Sequence, residues 1–245
     1  VESLEGGPKG VLEVAATCAC AGIIIGVMAL TGLGMRISNM LIALSGGFLP
    51  LALFLTMIVS FILGMGLPTT ASYVIAASTI APALTQMGVP PLAAHMFIFY
   101  FACLSAITPP VALAAFAAAG IAQTGLWGVG LCAVNIAAAG YVIPYMFIYG
   151  PSLLMIGDWG EIVYSLITAC IGTICLAGGL QGWMFKSIKW PQRILLIIAA
   201  LGLIKPGVVT DIVGAICLIA VIVMVKIGYY QKEIDLSPSL ELGAK

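Results

Sequence analysis

Long apolar runs interrupted by short breaks of Gly, Pro and Thr dominate this chain. A transmembrane helix needs about 20 consecutive apolar residues, so each run can be tested for length. Residues 14–44 predict a re-entrant hairpin, because one apolar run stops near residue 31 and the next covers less than half a bilayer. Residues 48–87 and 92–122 each predict a broken helix, and residues 125–149 predict one full span.

The breaks themselves are the most informative positions. Unpaired backbone groups in lipid are costly, so helices break at membrane depth only where protein or water covers the break. Paired discontinuous helices are typical of the midplane binding sites of transporters. The chain has three such breaks in order: Thr31-Gly32-Leu33-Gly34, Gly64-Met65-Gly66-Leu67-Pro68-Thr69-Thr70 and Ile107-Thr108-Pro109-Pro110.

Charged positions divide the chain into three parts. Residues 1–10 are polar and predict a linker, and because the chain begins at Val1 we expect it to be part of a longer protein. Residues 11–155 predict one unit, since no Asp, Glu, Lys or Arg occurs between Ile37 and Gly157. Residues 156–245, where charge returns, predict an accessory transmembrane domain with a cytoplasmic tail.

Composition agrees with the apolar pattern. Hydrophobic residues make up 62% of the chain and charged residues 7%, against roughly 25% charged residues in soluble domains. We therefore predict an all-α, polytopic integral membrane protein whose surroundings are the lipid bilayer. The net charge is zero and no basic run is present, which excludes nucleic-acid binding.

The second break offers the clearest chemistry. Pro68 has no amide proton and frees carbonyl groups around Gly64 and Gly66, which can ligate a sodium ion. Thr69 and Thr70 open the next half-helix, where unpaired amide groups and the positive end of the helix dipole favour an anion. One break can thus serve a cation on one side and a carboxylate on the other.

Enzyme chemistry has no basis in the sequence. It contains no paired carboxylates, no Ser/His/Asp set, no HExxH and no phosphate loop. The seven cysteines lie in apolar stretches without CxxC spacing and indicate packing rather than a metal site or disulfides. We predict no catalytic residue, no cofactor and no metal other than sodium as a coupling ion.

Two segments carry a resemblance to a known family. GMGLPTTASYVIAASTIAPAL (64–84), followed by LSAITPPVALAAFAAAGIAQT (104–124), resembles the large permease component of tripartite ATP-independent periplasmic (TRAP) transporters. The resemblance covers roughly residues 10–155, the second inverted repeat of that component. The Leu-Pro-Thr-Thr form is similar to the fused branch that works with TAXI-type binding proteins.

The resemblance implies an elevator-type, sodium-coupled importer of small organic anions, fed by a periplasmic TAXI-type binding protein. It places the chain in the bacterial or archaeal cytoplasmic (inner) membrane as a multi-pass protein and implies a missing N-terminal half of the same permease. Many relatives have an Asp just before the Pro-Thr, where this chain has Leu67, so sodium binding here would depend on carbonyl and threonine oxygens. The expected sodium ligands are Thr31, Gly32, Gly34, Gly64, Gly66, Thr69 and Thr70, and the expected substrate-binding residues are Pro68, Thr70, Thr108, Pro109 and Pro110.

Two other functions stay open at this point. The chain could form a sodium-independent channel or transporter, or a structural membrane subunit that supports a partner. Gly and Pro are common in membrane helices, so one kink alone is weak evidence for a binding site. Three breaks flanked by threonines within one charge-free unit favour transport.

Overall fold

The computed structural model describes residues 2–184, 186–205, 207 and 210–225. The chain divides into two compact units, the first ending at Ile148 and the second beginning at Tyr149. The sequence analysis predicts this boundary after residue 155.

Helices make up nearly all of the first unit. It contains α1 (Glu2–Thr31), α2 (Leu33–Ser45), α3 (Leu49–Gly64), α4 (Thr69–Gln86), α5 (Pro91–Leu104), α6 (Leu113–Ala122), α7 (Leu126–Ile136), a 3-10 turn (Ala138–Tyr141) and α8 (Ile143–Tyr149), whose last residue opens the second unit.

The second unit has longer helices and one small hairpin. Its elements are a 3-10 turn (Pro151–Leu154), α9 (Trp159–Gln181), β1 (Trp183–Met184), β2 (Lys186–Ser187), α10 (Trp190–Ile204) and α11 (Thr210–Val225). The two strands pair antiparallel, with Trp183 opposite Ser187.

The length and composition of these helices confirm the predicted class of an all-α membrane protein. Within the described residues, α9 alone is long and apolar enough to cross a bilayer. Two bent helix pairs reach that length if each forms one span: Ala15–Thr31 with Leu33–Ser45, bent by 74°, and Leu126–Ile136 with Ala138–Tyr149, bent by 65°.

Both bent pairs refine the elements predicted from the apolar pattern. Gly32 forms the elbow of the first pair with φ +66°, a backbone conformation that glycine adopts without steric cost. The segment 125–149, expected as one span, is interrupted after Ile136, where a 3-10 turn replaces the α-helix. Helix α1 also extends over residues 2–10, expected as a linker.

Helix α4 is the centre of the first unit. Its side chains are small, and Ala76, Ala81 and Ala83 are almost completely buried against α2, α3 and α5. Small residues let helix backbones approach closely, which is how helices associate where no water drives them together. The outer helices, in contrast, expose large apolar side chains such as Leu30 and Ile121, as a lipid-facing surface does.

Pro82 lies inside α4, next to the stretch that packs against α2. Pro82 has no amide proton and cannot bond the carbonyl of Ser78 four residues earlier. Gly34 of α2 lies against that carbonyl, since a Cβ at Gly34 would be 3.4 Å from it. Ser38 of α2 donates a hydrogen bond to the Thr79 carbonyl at 2.7 Å. Helix α2 thus covers the irregular stretch of α4.

In the second unit, glycines bring α9 and α10 together. A Cβ at Gly172 would lie 2.6 Å from Ile204 Cγ1 and 3.1 Å from the Ala200 carbonyl oxygen. Near the end of α9, Arg193 of α10 donates to the carbonyls of Gly179 and Leu180 at 3.0 and 2.6 Å. A guanidinium group at a helix C-terminus stabilises both the free carbonyls and the helix dipole.

Replacing Gly172 by valine is expected to destabilise this packing. The added methyl groups have no space against α10, and overpacking of this kind costs about 1–3 kcal/mol. The measurement is the thermal unfolding of detergent-solubilised protein. Ala177→Val is the matched control, because Ala177 lies on the exposed side of the same helix. Equal melting temperatures for the two variants would contradict the packing described here.

Candidate functional site

The break between α3 and α4 lies where the sequence places it. Helix α3 ends at Gly64 and α4 begins at Thr69. Gly66 has φ +77°, a conformation that is strained for residues with a Cβ, and Met65 is extended. The Leu67 amide reaches the Gly64 carbonyl at 3.4 Å, and the first bond of α4 runs from Ser72 N to Pro68 O at 3.0 Å.

The two ends at this break differ electrostatically. The carbonyl groups at the end of α3 carry the negative end of its helix dipole, and the amide groups of Thr69 and Thr70 carry the positive end of the dipole of α4. Pro68 occupies the N-cap position of α4, and no side chain caps the helix there. Gly66, Thr69 and Thr70 are exposed, whereas Gly64 is buried. The break therefore presents an open anion-favouring end and a covered cation-favouring end.

The break after α5 contacts the break after α3. Residues 105–112 connect α5 to α6, and the Pro109–Pro110 peptide bond is cis. The Ser105 hydroxyl group donates to the carbonyl of Gly64 at 3.1 Å or to that of Ala102 at 2.6 Å. A Cβ at Gly66 would lie 3.9 Å from Val111 Cγ1. The structure thus brings the second and third predicted breaks together.

Thr108 is held by the Leu104 carbonyl and the Tyr141 hydroxyl group. Its hydroxyl group donates to the Leu104 carbonyl at 2.6 Å and lies 2.7 Å from the Tyr141 hydroxyl group. Pro109 packs against Gly130 of α7, where a Cβ would be 3.1 Å from Pro109 Cγ. Tyr141 was missed in the sequence analysis, because nothing local relates it to a residue 33 positions earlier.

The first predicted break, at residues 31–34, lies beside a different part of α4. Thr31 Oγ1 donates within its own helix, to the carbonyl of Val27 at 2.8 Å. Gly32 and Gly34 line a cavity of about 130 Å³ together with Ser78 of α4. Ser78 is eight residues beyond Thr70, which is about 12 Å along a helix that rises 1.5 Å per residue. The structure therefore separates Thr31, Gly32 and Gly34 from the residues at 64–70.

A different part of α1 lies beside the 64–70 break. Cys18 Sγ is 3.7 Å from Thr70 Oγ1. A cavity of about 190 Å³ lies next to this contact, with a lining that is almost entirely apolar. The apolar surroundings of the cysteines predict packing for Cys18, and Thr17 belongs to no motif in the sequence. Lining residues are Ala16, Thr17, Cys20, Ala21 and Ile24 of α1, Leu67 of the break, and Ala71 and Ile75 of α4.

The polar groups at both breaks are neutral. Within the described part of the chain, no three His, Cys, Asp or Glu side chains are close enough to form a metal-binding group. The oxygen atoms at the breaks belong to backbone carbonyls and to the hydroxyl groups of Thr69, Thr70, Ser105 and Thr108. Such oxygens suit a weakly held monovalent cation better than a transition metal, which prefers thiolate or imidazole ligands.

Comparison with known proteins gives the family. The model of the family described as "Tripartite ATP-independent periplasmic transporter, DctM component" matches residues 1–161 of the 245. Comparison with curated proteins and with solved structures gave no match. The family match confirms the resemblance to TRAP permeases, and the assignment to the TAXI branch stays a prediction. Since the match covers more than half of the chain, this integral membrane protein belongs to the DctM family of TRAP transporter permeases, a family of solute transporters and not of enzymes.

Proposed function

We propose that the chain is part of a permease for sodium-coupled uptake of small organic anions, with carboxylates as the substrate class. The observation that carries this proposal is the break at 64–70, where the C-terminus of α3 and the N-terminus of α4 are separated by four residues in a segment without charged side chains. Half-helix N-termini bind anionic groups and unwound carbonyls bind cations at such breaks in secondary transporters.

The cation side of the break would use neutral oxygens. Leu67 supplies no carboxylate, so the ligands near the break are the carbonyl groups of Gly64 and Gly66 and the hydroxyl groups of Thr69 and Thr70. Thr31, Gly32 and Gly34 stay candidate sodium ligands. Because they lie beside Ser78, an ion held there would be a second ion.

The anion side would use the exposed start of α4. The amide groups of Thr69 and Thr70 are uncapped by side chains and point out of the helix end, where a carboxylate gains from both hydrogen bonds and the dipole. Pro68 shapes this end. Thr108, Pro109 and Pro110 belong to the connection that contacts the break through Ser105 and Val111, and they would form the neighbouring wall.

The permease would work with partners at the inner membrane. A periplasmic TAXI-type binding protein would deliver the substrate, and the other half of the permease would complete the site. The protein would be multi-pass in the bacterial or archaeal inner membrane and would carry the loaded site across as an elevator. Sodium would act through its higher affinity for the state that also binds the substrate.

Reconstituted vesicles provide the direct test. The full-length permease with its binding protein is expected to take up a labelled carboxylate only when a sodium gradient is present. Replacing sodium by choline, or omitting the binding protein, is expected to abolish uptake. The measurement is the initial rate of accumulation inside the vesicles.

The outcome also separates the alternative functions. Flux that persists without sodium would indicate a channel or a sodium-independent transporter. No flux under any condition, in a protein that still binds its membrane partners, would indicate a structural subunit. Either result would contradict sodium-coupled uptake.

Substitution of both threonines by valine tests the break itself. Thr69→Val with Thr70→Val keeps the side-chain shape and removes the hydroxyl groups. The substitution removes two oxygen ligands, and a loss of about 1.4 kcal/mol is tenfold in affinity, so we expect the sodium concentration for half-maximal uptake to rise at least about tenfold. The measurement is the sodium dependence of uptake at equal expression.

Thr85→Val is the matched control for the threonine pair. Thr85 lies at the other end of α4, and its hydroxyl group bonds within the helix to the carbonyls of Ala81 and Pro82. Its replacement is expected to leave the sodium dependence unchanged. If the Thr69/Thr70 variant behaves like this control, the two hydroxyl groups take no part in sodium binding.

A further inference from the structure

An apolar cavity lies between α1 and the start of α4. Its volume is about 190 Å³. Thr17, Cys20 and Ala21 line it from α1, and Leu67 and Ala71 line it from the break and from α4. None of its lining residues carries a charge. We call this space the α1–α4 cavity.

Ala71 joins the cavity to the anion-favouring end of α4. Ser72 donates the first backbone hydrogen bond of that helix, to the Pro68 carbonyl at 3.0 Å. The amide groups of Thr69, Thr70 and Ala71 therefore have no partner within the helix. The side chain of Ala71 lines the cavity, whereas its amide group belongs to the free helix end. The polar helix end and the apolar cavity thus meet at one residue.

A second contact places α1 beside the same helix end. Cys18 Sγ lies 3.7 Å from Thr70 Oγ1, and the neighbouring residue Thr17 lines the cavity. Ala21 and Ile75 form the buried side of the cavity and are 4% and 5% exposed. A group that extends from the start of α4 into this space therefore meets apolar walls from two helices.

These two features together fit an anion with an apolar tail. A carboxylate gains from free amide groups and from the positive end of the helix dipole, and an apolar group gains from leaving water. A dry cavity of about 150 Å³ lined by aliphatic and aromatic side chains can bind benzene, so the α1–α4 cavity has room for a short alkyl or phenyl group. A second carboxylate in the same place would lose its hydration without a charged partner.

We propose that the α1–α4 cavity is a specificity subsite, which receives the apolar tail of the transported carboxylate. This assignment rests on the proposed function, because that function places the carboxylate at the start of α4. It narrows the substrate class to monocarboxylates with a short apolar tail and disfavours dicarboxylates of the same length. Ala21 and Ala71 set the available space, since a larger side chain at either position would fill it.

A series of carboxylates tests the subsite on the purified full-length permease, in the absence of the binding protein and its own selectivity. Acetate, propanoate, butanoate and succinate are each titrated in sodium chloride. The measurement is the acid concentration that gives half of the maximal rise in melting temperature. We expect this concentration to fall about fourfold for each methylene group added from acetate to butanoate, which is the gain from burying one methylene group. Succinate has the length of butanoate and a second charge, so we expect it to bind at least about tenfold more weakly than butanoate.

Two substitutions that fill the cavity from α1 test its location. Ala21→Leu adds bulk at a buried lining position. Cys20→Leu adds bulk at the exposed edge, where a larger side chain does not disturb folding, so it keeps the test valid if Ala21→Leu fails to fold. Each variant is expected to bind acetate as the wild type does and to bind butanoate about tenfold more weakly than the wild type.

Ala19→Leu is the matched control. Ala19 is an exposed residue of the same helix and is not part of the cavity lining. The same increase in side-chain size at this position is expected to preserve the full dependence of affinity on chain length.

Three results would overturn the subsite, and they differ in what they leave standing. If the four acids bind alike, or if succinate binds best, the tail lies outside the cavity, and a carboxylate site at the start of α4 still stands. If chain length matters equally in the wild type and in both filled variants, the apolar contact is made elsewhere, and the cavity serves helix packing or holds a lipid chain. If no acid stabilises any form of the permease, the proposed carboxylate site itself is wrong.

Discussion

The need to pair backbone polar groups inside lipid determines how this chain folds. An α-helix satisfies its own amide and carbonyl groups, but a broken helix leaves several of them free, and in a bilayer only protein or water can cover them. The structure solves this by placing one break against another. The Ser105 hydroxyl group reaches the carbonyl of Gly64, and the Ala114 amide turns back to the carbonyl of Ala106. The connection from α5 to α6 therefore pairs one carbonyl group of the 64–70 break.

The same requirement explains the composition of α4. This helix contacts α1, α2, α3 and α5, and it can do so only because most of its buried positions are Ala, Ser or Thr. Close backbone approach also lets neighbouring helices cover its irregular part, where Pro82 leaves the Ser78 carbonyl without its usual donor. A larger side chain at Gly34 would separate α2 from that carbonyl. The small residues of α4 are therefore required for helix packing, whatever part they take in binding.

The sequence predicts local features of this fold well and their assembly poorly. The breaks at 64–70 and 107–110 follow from Gly66, Pro68 and the Pro109–Pro110 pair, whose backbone preferences act within a few residues. The neighbours of each break depend on how helices are aligned in space, which no local pattern records. Residues 31–34 lie beside Ser78 and not beside residues 64–70, because α1 runs along α4 from the contact of Cys18 with Thr70, and Gly34 at the start of α2 reaches Ser78.

The oxygen atoms at the breaks are neutral, and a binding site made of them would release a cation more easily than a site with a carboxylate. A buried carboxylate would hold a cation strongly and would remain as an uncompensated charge once the cation left, which is costly in a low-dielectric interior. Carbonyl and hydroxyl groups hold the ion less tightly, and they can bond to one another when it is absent, as Ser105 does to Gly64 and Ala102. The proposed elevator would move its site both loaded and empty, and a site that carries no net charge of its own would cross the bilayer in the empty state at low cost. Leu67 adds no carboxylate to the 64–70 break, in keeping with a site of this kind.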